Sequence, residues 1–433
     1  MTQLWKKSRT KTHPAVCQYI ISKHCASDMI LLPYDVQASQ AHAKMLHSVG
    51  LLSKNEVKAL VKALDEIADL HKNGKFLLRE SDEDCHTVIE NYLVKQLGDI
   101  GKKIHMGRSR NDEVLTAIRL FSKEHLTIVQ HHVLLVAEVI LSFAKKHEFV
   151  PMPGYTHTQQ AMPSSVGQWA SSFVESLLDD YEILQACYSL NDQNPLGSAA
   201  GFGTSLPIDR AFTTRELKFA RTQINTLYCQ NSRGKIESFV TTALLQVMMT
   251  LGKIANDAIW FTSKEFDFFQ IDESLTTGSS IMPNKKNLDI MEVLRANVSV
   301  VMSYQMQTQT VSHNLLSGYN KDLKITKPAL IDSFTIVEES LKIISLLFRN
   351  LKPNTKKLFR SFSPEIFATD TVNELVQKGV PFRDAYKKIG DNLSAVSLPD
   401  ITLNIKEKKH LGACGNLNLD FYAATIKKLR RKV

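Results

Sequence analysis

Apolar residues recur at helical spacing along almost the whole chain. From Asn55 to His71 the aliphatic residues are three or four positions apart, which places them on one face of a helix. The same spacing continues from Asp112 to His147. The alternation of apolar and polar residues that marks strands and hairpins is almost absent. The pattern therefore predicts a protein built mainly of α-helices.

Three further segments predict unusually long helices, at residues 165–190, 235–265 and 287–313. The second would extend for ~46 Å at a rise of ~1.5 Å per residue, and apolar residues lie on several of its faces. Such a helix must be surrounded by other helices, from the same chain or from neighbouring subunits. Because long helices leave long faces to cover, we expect neighbouring subunits to cover them.

Glycine and proline concentrate at residues 151–163, 194–207 and 277–283. We expect these stretches to be loops that carry binding and catalytic groups. Breaks in the helical pattern near 102–107 and 352–355 indicate domain boundaries. The expected domains are an N-terminal helical domain (1–104), a central long-helix bundle (105–353) and a C-terminal helical domain (354–433), in line with ~150 residues per domain.

The composition excludes several classes of protein. Hydrophobic residues make up 43% of the chain and charged residues 22%, which is typical of a folded domain. No uninterrupted apolar run reaches the ~20 residues of a membrane span, and no apolar core follows the basic N-terminus as in a signal peptide. The six cysteines are scattered without a CxxC pair, so they predict neither a zinc site nor a disulfide framework. We therefore expect a cytoplasmic protein that does not bind a membrane.

The formal net charge is +9, which favours an anionic partner such as a nucleic acid or a small polycarboxylate. Much of this charge lies at the two ends of the chain. No zinc finger and no aromatic RNA-binding motif accompanies it, so we do not expect a nucleic acid. An ordinary solvated surface or a small dicarboxylate substrate fits the charge better.

The stretch from Thr277 to Asn287 reads TGSSIMPNKKN and combines hydroxyl groups with two lysines. We expect Pro283 to begin the following helix, since proline suits the first helical position. Lys285 and Asn287 would then lie near a helix N-terminus, where peptide N–H groups favour an anion. The stretch is a candidate carboxylate-binding loop, although its composition alone also suits a plain flexible loop.

Two other stretches carry candidate chemistry. Ser109, Arg110 and Asn111 place hydrogen-bond donors at the start of a predicted helix, which suits a dicarboxylate but also suits simple helix capping. The stretch 154–163, GYTHTQQAMP, contains His157, whose side chain titrates near neutral pH. A lone histidine is more often structural than catalytic, so the residue type alone does not decide its role.

The exact strings resemble a known family. GSSIMPNKKN is similar to the GSSxMPxKxN signature of the fumarase/aspartase superfamily, and GRSRND and GYTHTQQAMP resemble its argininosuccinate lyase branch. Weaker matches occur at 83–90, 195–210 and 376–390, so the resemblance extends from about Asp35 to Gly390. It implies an all-α, three-domain fold whose central bundle forms a homotetramer. It also implies active sites built from loops of different subunits, with neither a metal nor an organic cofactor.

The resemblance further implies a lyase that eliminates fumarate from an N-succinyl compound, with argininosuccinate as the expected substrate. The implied catalytic residues are Ser279 as the base, with Ser280 as the alternative, His157 as the acid, Glu292 as its orienting partner, and Lys285 and Asn287 as stabilisers of the charged intermediate. The implied substrate-binding residues are Asp28, Ser109, Arg110, Asn111, Thr156, Tyr319 and Lys327, with Ser280 and Asn287 beside them.

Three positions depart from the family pattern where the amine half of the substrate would bind. His24 replaces a serine, Lys321 replaces an arginine and Lys324 replaces a glutamine. Lysine and arginine are not interchangeable, and a lysine aimed at a guanidinium would repel it. Two alternatives therefore stay open: a lyase of the same superfamily that acts on another N-succinyl amine, and a catalytically inactive structural homologue.

Overall fold

A computed structural model describes residues 25–78 and 84–431 together with His13, Tyr19 and Asp82, and the chain it shows is mainly α-helical. The helices are α1 (Cys25–Ser48), α2 (Lys54–Lys72), α3 (Cys85–Leu97), α4 (Asp99–Lys102), α5 (Arg110–Lys146), α6 (Val166–Asn191), α7 (Arg210–Glu216), α8 (Thr226–Asn231), α9 (Lys235–Thr262), α10 (Asp289–Ser312), α11 (Thr326–Asn350), α12 (Thr355–Arg360), α13 (Ala368–Gln377), α14 (Phe382–Gly390), α15 (Ile401–Glu407) and α16 (Leu419–Leu429).

The long helices confirm the expected all-α class. The segments predicted at 165–190 and 235–265 correspond to α6 and α9, and the pattern from Asp112 corresponds to α5. Local chemistry explains some of the ends. Ser53 and Glu56 form a capping box at the start of α2, in which each side chain bonds to the backbone of the other. The stripe predicted on α2 is the face that packs into the protein interior.

The predicted role of Pro283 as the first residue of a helix is wrong, because α10 begins only at Asp289. The backbones of Thr277 and Asn287 exchange two hydrogen bonds, with N···O distances of 3.0 and 2.9 Å. This bridge closes residues 278–286 into a loop that contains Pro283. A tight pairing between two distant residues therefore overrides the local preference of proline.

The described strands are short, and they form three two-stranded pairs. Strands β1 (Pro151–Thr156) and β2 (Gln159–Ser165) form an antiparallel hairpin, so the prediction of a loop at residues 151–163 is wrong. The remaining strands have two residues each: β3 (Gln193–Asn194) pairs with β4 (Arg221–Thr222) in parallel, and β5 (Phe269–Gln270) pairs with β6 (Lys352–Pro353) in antiparallel orientation.

The chain divides into two compact units. Unit 1 contains Met1–Ile128, Leu184–Leu244 and Met302–Thr335, and unit 2 contains Val129–Ile183, Leu245–Val301 and Ile336–Val433. Part of the core of unit 1 is formed where α1, α2 and α3 pack around Leu46, Leu64 and Leu93. In unit 2, Phe367 and Ile405 belong to a separate apolar cluster of the C-terminal helices. The three-domain division stays a prediction.

Two helical stretches, α5 and Thr226–Thr262, are long and apolar enough to cross a membrane by length and composition. Within their most apolar windows, 56% and 67% of the residues are buried inside the protein. Burial of that extent is what the core helices of a folded protein show.

Candidate active site

A cavity of about 170 Å³ in unit 1 brings together residues that are far apart in the sequence. Of the residues predicted to bind substrate, Asp28, Arg110, Asn111, Tyr319 and Lys327 all line it. They come from α1, from the start of α5 and from the segment that leads into α11. Most of the predicted substrate-binding residues that lie in unit 1 therefore surround this one cavity.

Positive charge dominates the lining of this cavity. Arg233, Lys321 and Lys324 join Arg110 and Lys327, so five cations face two carboxylates, Asp28 and Asp84. Such an excess attracts an anionic ligand. Burial, and then the nearby ammonium of Lys327, lower the pKa of Lys324 below its usual range.

Two ion pairs hold the carboxylates in place. Lys327 donates a hydrogen bond to Asp28, and both side chains are buried. Arg110 Nη1 lies 3.2 Å from Asp84 Oδ2. The other oxygen of Asp84 caps helix α3, because it accepts the backbone N–H of Thr87 at 2.9 Å. The carboxylates are thus anchored to helices and pre-arranged beside the cations.

Arg233 is a second arginine in the wall of the cavity. Its guanidinium lies over the ring of Tyr319, 4.7 Å from the ring centroid, and Nη1 donates to the carbonyl oxygen of Asn111 at 3.4 Å. Burial lowers the pKa of Arg233, but an arginine keeps its charge at neutral pH. Arg233 therefore ties the Tyr319 segment to the first turn of α5.

Ser109 does not line the cavity; it caps α5. Its hydroxyl oxygen accepts the N–H of Asn111 at 3.3 Å, and its own N–H donates to Asp112 Oδ1 at 2.8 Å. The second oxygen of Asp112 accepts the N–H groups of Gly197 and Ala199, each at 2.9 Å. Burial raises the pKa of Asp112 to about 7. Because Asp112 connects two loops, it fixes the segment that carries Arg110 and Asn111.

A buried charge network lies next to this segment. His86 Nδ1 is 2.5 Å from Asp35 Oδ2 and 3.5 Å from Glu113 Oε2, and Arg108 Nε is 2.9 Å from Glu113 Oε1. Burial opposes the charge of His86, but Asp35 beside it raises its pKa well above the usual range. The network holds the residues before α5 against α1 and α3.

Cys85 belongs to the same network. Its sulfur, a carboxylate oxygen of Asp35 and a ring nitrogen of His86 lie within 4.8 Å of one another, which is close enough to hold a metal ion. However, the thiol donates to Asp35 at 3.4 Å, and burial raises the pKa of Cys85 to about 12. In the structure these three groups are joined as a hydrogen-bonded network.

The predicted catalytic residues lie in unit 2. His157 is at the tip of the β1–β2 hairpin, next to Thr156, and both side chains are exposed. The backbone φ angle of His157 is +54° and that of Thr158 is +62°. The histidine therefore lies in the tight turn that connects the two strands of the hairpin.

The loop 278–286 carries the predicted base. Ser279 Oγ accepts the backbone N–H groups of Ile281 and Met282 at 3.3 and 3.2 Å. Hydrogen bonds of this kind favour a negatively charged oxygen. Ser280 and Lys285 are exposed on the same loop, and Asn287 lies at its closing bridge.

Glu292 is exposed in the first turn of α10, where an acidic residue is favoured by the helix dipole. Lys286, which follows Lys285, pairs with Glu273, and the hydroxyl of Thr277 bonds to Asp289 at the start of the helix. These contacts attach both ends of the loop to its surroundings.

Sequence reasoning did not assign Arg233 and Asp84 to the site. Arg233 lies between two small residues just before α9, with no motif around it, and nothing in its neighbours reveals that it stacks on Tyr319. Asp84 lies in the stretch 83–90, which resembles the family, and that resemblance could have identified it as a residue of the site. The departure at His24 lies outside the described residues.

Comparison with known proteins shows which family this chain belongs to. A family model described as "Lyase" matches residues 10–303. An argininosuccinate lyase of Thermotoga neapolitana is 40% identical over 389 residues, which cover 90% of this chain and 98% of that protein. One of Sorangium cellulosum is 40% identical over 424 residues and covers 98% of both chains. This chain belongs to the argininosuccinate lyase family.

The solved structures agree with the fold of that family. An EDDS lyase in complex with formate superposes with a TM-score of 0.82 at 21% identity, and covers 98% of this chain and 92% of its own. A class II fumarase of Schistosoma mansoni gives a TM-score of 0.71 at 17% identity. The resemblance read from the motifs is therefore confirmed: the chain is a carbon–nitrogen lyase with the all-α fold of the fumarase/aspartase superfamily.

Proposed function

We propose that this member of the argininosuccinate lyase family cleaves argininosuccinate into arginine and fumarate, as a step of arginine biosynthesis. The observation that carries the proposal is the 40% identity to argininosuccinate lyases over nearly the full length of both chains. The clustering of predicted substrate-binding residues around a positively charged cavity supports it.

The reaction requires one proton removal and one proton donation. A base removes a proton from the succinyl carbon next to the carbon that bears the nitrogen, and the adjacent carboxylate takes up the electrons as an aci-carboxylate. The carbon–nitrogen bond then breaks, the new double bond gives fumarate, and an acid protonates the departing nitrogen. Each group of this kind typically contributes ~10²–10⁴-fold to the rate.

We assign the base to Ser279. A serine is a weak base at its ordinary pKa and needs neighbours that stabilise its alkoxide. The two peptide N–H groups that donate to Ser279 Oγ supply part of that stabilisation. Ser280 is the alternative base. Lys285 and Asn287 would stabilise the aci-carboxylate, as preorganised donors do at developing negative charge.

The acid is His157, oriented by Glu292. Its place at the tip of the hairpin exposes the imidazole, so it can reach a departing nitrogen directly or through a water molecule. Arg110, Asn111 and Thr156 would hold the succinyl carboxylates, while Asp28, Tyr319 and Lys327 would hold the amine half. Ser109, predicted to bind substrate as well, would act by capping the helix that carries Arg110 and Asn111.

We further propose that the protein is a cytoplasmic homotetramer in which loops of different subunits form each active site. Large apolar side chains are exposed along two of the longest helices, namely Phe239, Met249 and Trp260 on α9 and Val293, Val300 and Met306 on α10. They recur at helical spacing, so each helix presents an apolar face that burial against other subunits would stabilise. The cysteines found free, Cys85, Cys187, Cys229 and Cys414, suit a reducing compartment.

The deciding experiment follows fumarate release from argininosuccinate by the purified protein, with Ser279→Ala alongside. We expect steady release by the wild type and a loss of ~10²–10⁴-fold in the variant. Ser394→Ala is the matched control, because Ser394 is an exposed serine in the C-terminal region and should be replaceable. No release from the folded wild type would refute argininosuccinate as the substrate. Full activity of Ser279→Ala would place the base elsewhere.

A second candidate is the same elimination from another N-succinyl amine. The five cations against two carboxylates around the unit 1 cavity favour an amine half that carries more negative charge than arginine. Comparing kcat/KM for argininosuccinate with that for N-succinyl derivatives of acidic amino acids separates the two candidates. A higher value for argininosuccinate would exclude the second.

A further inference from the structure

The turn at the tip of the β1–β2 hairpin has an unusual sequence for its conformation. Thr156 pairs with Gln159, which leaves His157 and Thr158 as a two-residue turn with positive φ at both positions. Hairpin turns of this type I′ strongly favour asparagine, aspartate and glycine. In this chain the two turn positions are occupied by a histidine and a β-branched threonine instead.

This conformation is costly for these residues. Positive φ is uncommon outside glycine and is an outlier for a β-branched residue. Such strain persists only where the surrounding structure enforces it, and it concentrates at functional sites. Both side chains are exposed, so burial in a core does not account for the conformation. Other contacts must hold the turn.

The stem of the hairpin is held from both sides. The ring of Tyr155 packs against Phe261, Phe266 and Phe268, with centroid distances of 5.9 to 6.4 Å. On the other strand, Gln160 Nε2 donates to the carbonyl oxygen of Ser361 at 2.8 Å. The stem is thus held at Tyr155 and Gln160, and the conformation of the turn between them sets the direction of His157.

A bulge directs the stem just before the turn. The strand register shifts between Gly154 and Tyr155, which gives β2 one extra residue. A Cβ atom at Gly154 would lie 3.0 Å from the carbonyl oxygen of Met162, so this close approach favours glycine. Bulges of this kind re-aim side chains next to active sites.

Within the turn, Thr158 makes a hydrogen bond to the residue before it. Its hydroxyl donates to the carbonyl oxygen of His157 at 2.6 Å. We propose that Thr158 is a positioning residue, whose hydroxyl holds the left-handed turn and thereby fixes the direction of the His157 imidazole. The kinetic part of this inference rests on the proposed function, in which His157 is the acid.

Two substitutions separate the backbone conformation from the hydroxyl. Thr158→Val keeps the β-branched shape but loses the hydrogen bond, so the turn should relax to negative φ and carry His157 away. We expect kcat to fall by at least about tenfold, since a misplacement of ~1 Å can cost ~100-fold, while KM changes little. Thr158→Gly adopts positive φ without cost and should retain kcat close to that of the wild type.

The pattern across the two variants is decisive. Equal losses in both, with a raised KM, would mean that the hydroxyl contacts the substrate and would overturn the proposal. Wild-type kcat in Thr158→Val would overturn it as well. Thr425→Val is the matched control, because Thr425 is a partly exposed threonine whose hydroxyl donates to the carbonyl oxygen of Phe421 at 2.9 Å in an ordinary helix.

Crystal structures of the two variants test the geometry without any substrate. We expect a changed turn in Thr158→Val and an unchanged turn in Thr158→Gly. An unchanged turn in both would refute the inference. If the wild type releases no fumarate, the proposed function fails, but the crystallographic comparison still decides whether Thr158 holds the turn.

Discussion

Lys324 is the residue at which the charge of the unit 1 cavity departs most from what the family pattern leads one to expect. It is half-buried, and its electrostatic neighbours are Lys327, Lys321, Asp28 and Asp84. A neutral glutamine at this position would leave the cations and carboxylates closer to balance. The lysine adds a full charge where the solvent screens it only partly.

We predict that Lys324→Gln raises KM for argininosuccinate by about fivefold to tenfold and leaves kcat nearly unchanged, because Lys324 would meet a carboxylate of the substrate rather than its guanidinium. A hydrogen bond to a charged group is worth ~1.5–3 kcal/mol, part of which a glutamine retains. Steady-state kinetics measure the effect, and Lys356→Gln, which changes an exposed lysine outside the cavity, is the control. A lower KM would mean that Lys324 repels the amine half, and would favour a different amine.

The contribution of Lys324 to KM should depend on pH. Burial and Lys327 lower the pKa of Lys324, so it loses its charge at a lower pH than an exposed lysine does. As the pH rises through that range, KM of the wild type should rise toward KM of Lys324→Gln. Below the range, where Lys324 is fully charged, the difference between the two should be largest.

At this scale the sequence indicates residue types but not their neighbours. Asp28, Arg110 and Lys327 were predicted through the family resemblance, and the structure places them around one cavity. Local pattern alone cannot bring Asp28 to Lys327, because their meeting depends on how distant helices pack. Arg233 was not predicted for the same reason, because its place in the site depends on stacking against the distant Tyr319.

At the scale of elements, periodicity predicted the long helices to within a few residues. It failed at the β1–β2 hairpin, since the His157–Thr158 turn contains neither asparagine nor glycine and its strands contain three prolines. The separate expectation that Pro283 begins α10 also failed, because a bridge between Thr277 and Asn287 decides the boundary. In both places contacts between separate segments outweigh local propensity.

One junction between elements should be highly sensitive to substitution. Gly234 precedes α9 with φ of +76°, and a Cβ atom there would lie 2.4 Å from Cβ of Ser312 at the end of α10 and 3.0 Å from a methyl group of Leu323. The contact allows α9 to begin against the end of α10, and no side chain larger than hydrogen fits.

We predict that Gly234→Ala lowers the free energy of unfolding by about 2–5 kcal/mol, because it combines a strained φ with overpacking. Denaturant unfolding, or the thermal midpoint if unfolding is irreversible, measures the loss. Gly390→Ala is the control, since Gly390 has open space around its Cα and no positive φ. Equal stability of Gly234→Ala and the wild type would mean that the two helix ends shift apart at little cost.

At the scale of the whole molecule, the proposed tetramer makes the active site a property of the assembly. Residues such as Ser279 and Asn111 are then required in each site but need not come from the same chain. The exposed apolar faces of α9 and α10 explain why the chain would associate.

We predict that Ser279→Ala and Asn111→Ala are each inactive alone, and that mixing them under conditions of subunit exchange restores fumarate release. Some sites in a mixed tetramer would receive both intact residues from different subunits. Analytical ultracentrifugation before and after mixing confirms the tetramer, and each variant taken alone through the same exchange is the control. A fully active monomer, or no recovery in a mixed tetramer, would contradict shared sites.

The excess of cations around the unit 1 cavity also bears on how this protein must be assayed. Small multivalent anions such as phosphate and sulfate carry the charge that the cavity attracts, so they should occupy it in competition with the substrate. Dissolved salt further weakens the attraction, since the screening length is only ~8 Å at ~0.15 M ionic strength. The choice of buffer ion should therefore change the apparent affinity of the enzyme for its substrate, as a substitution in the wall of the cavity would.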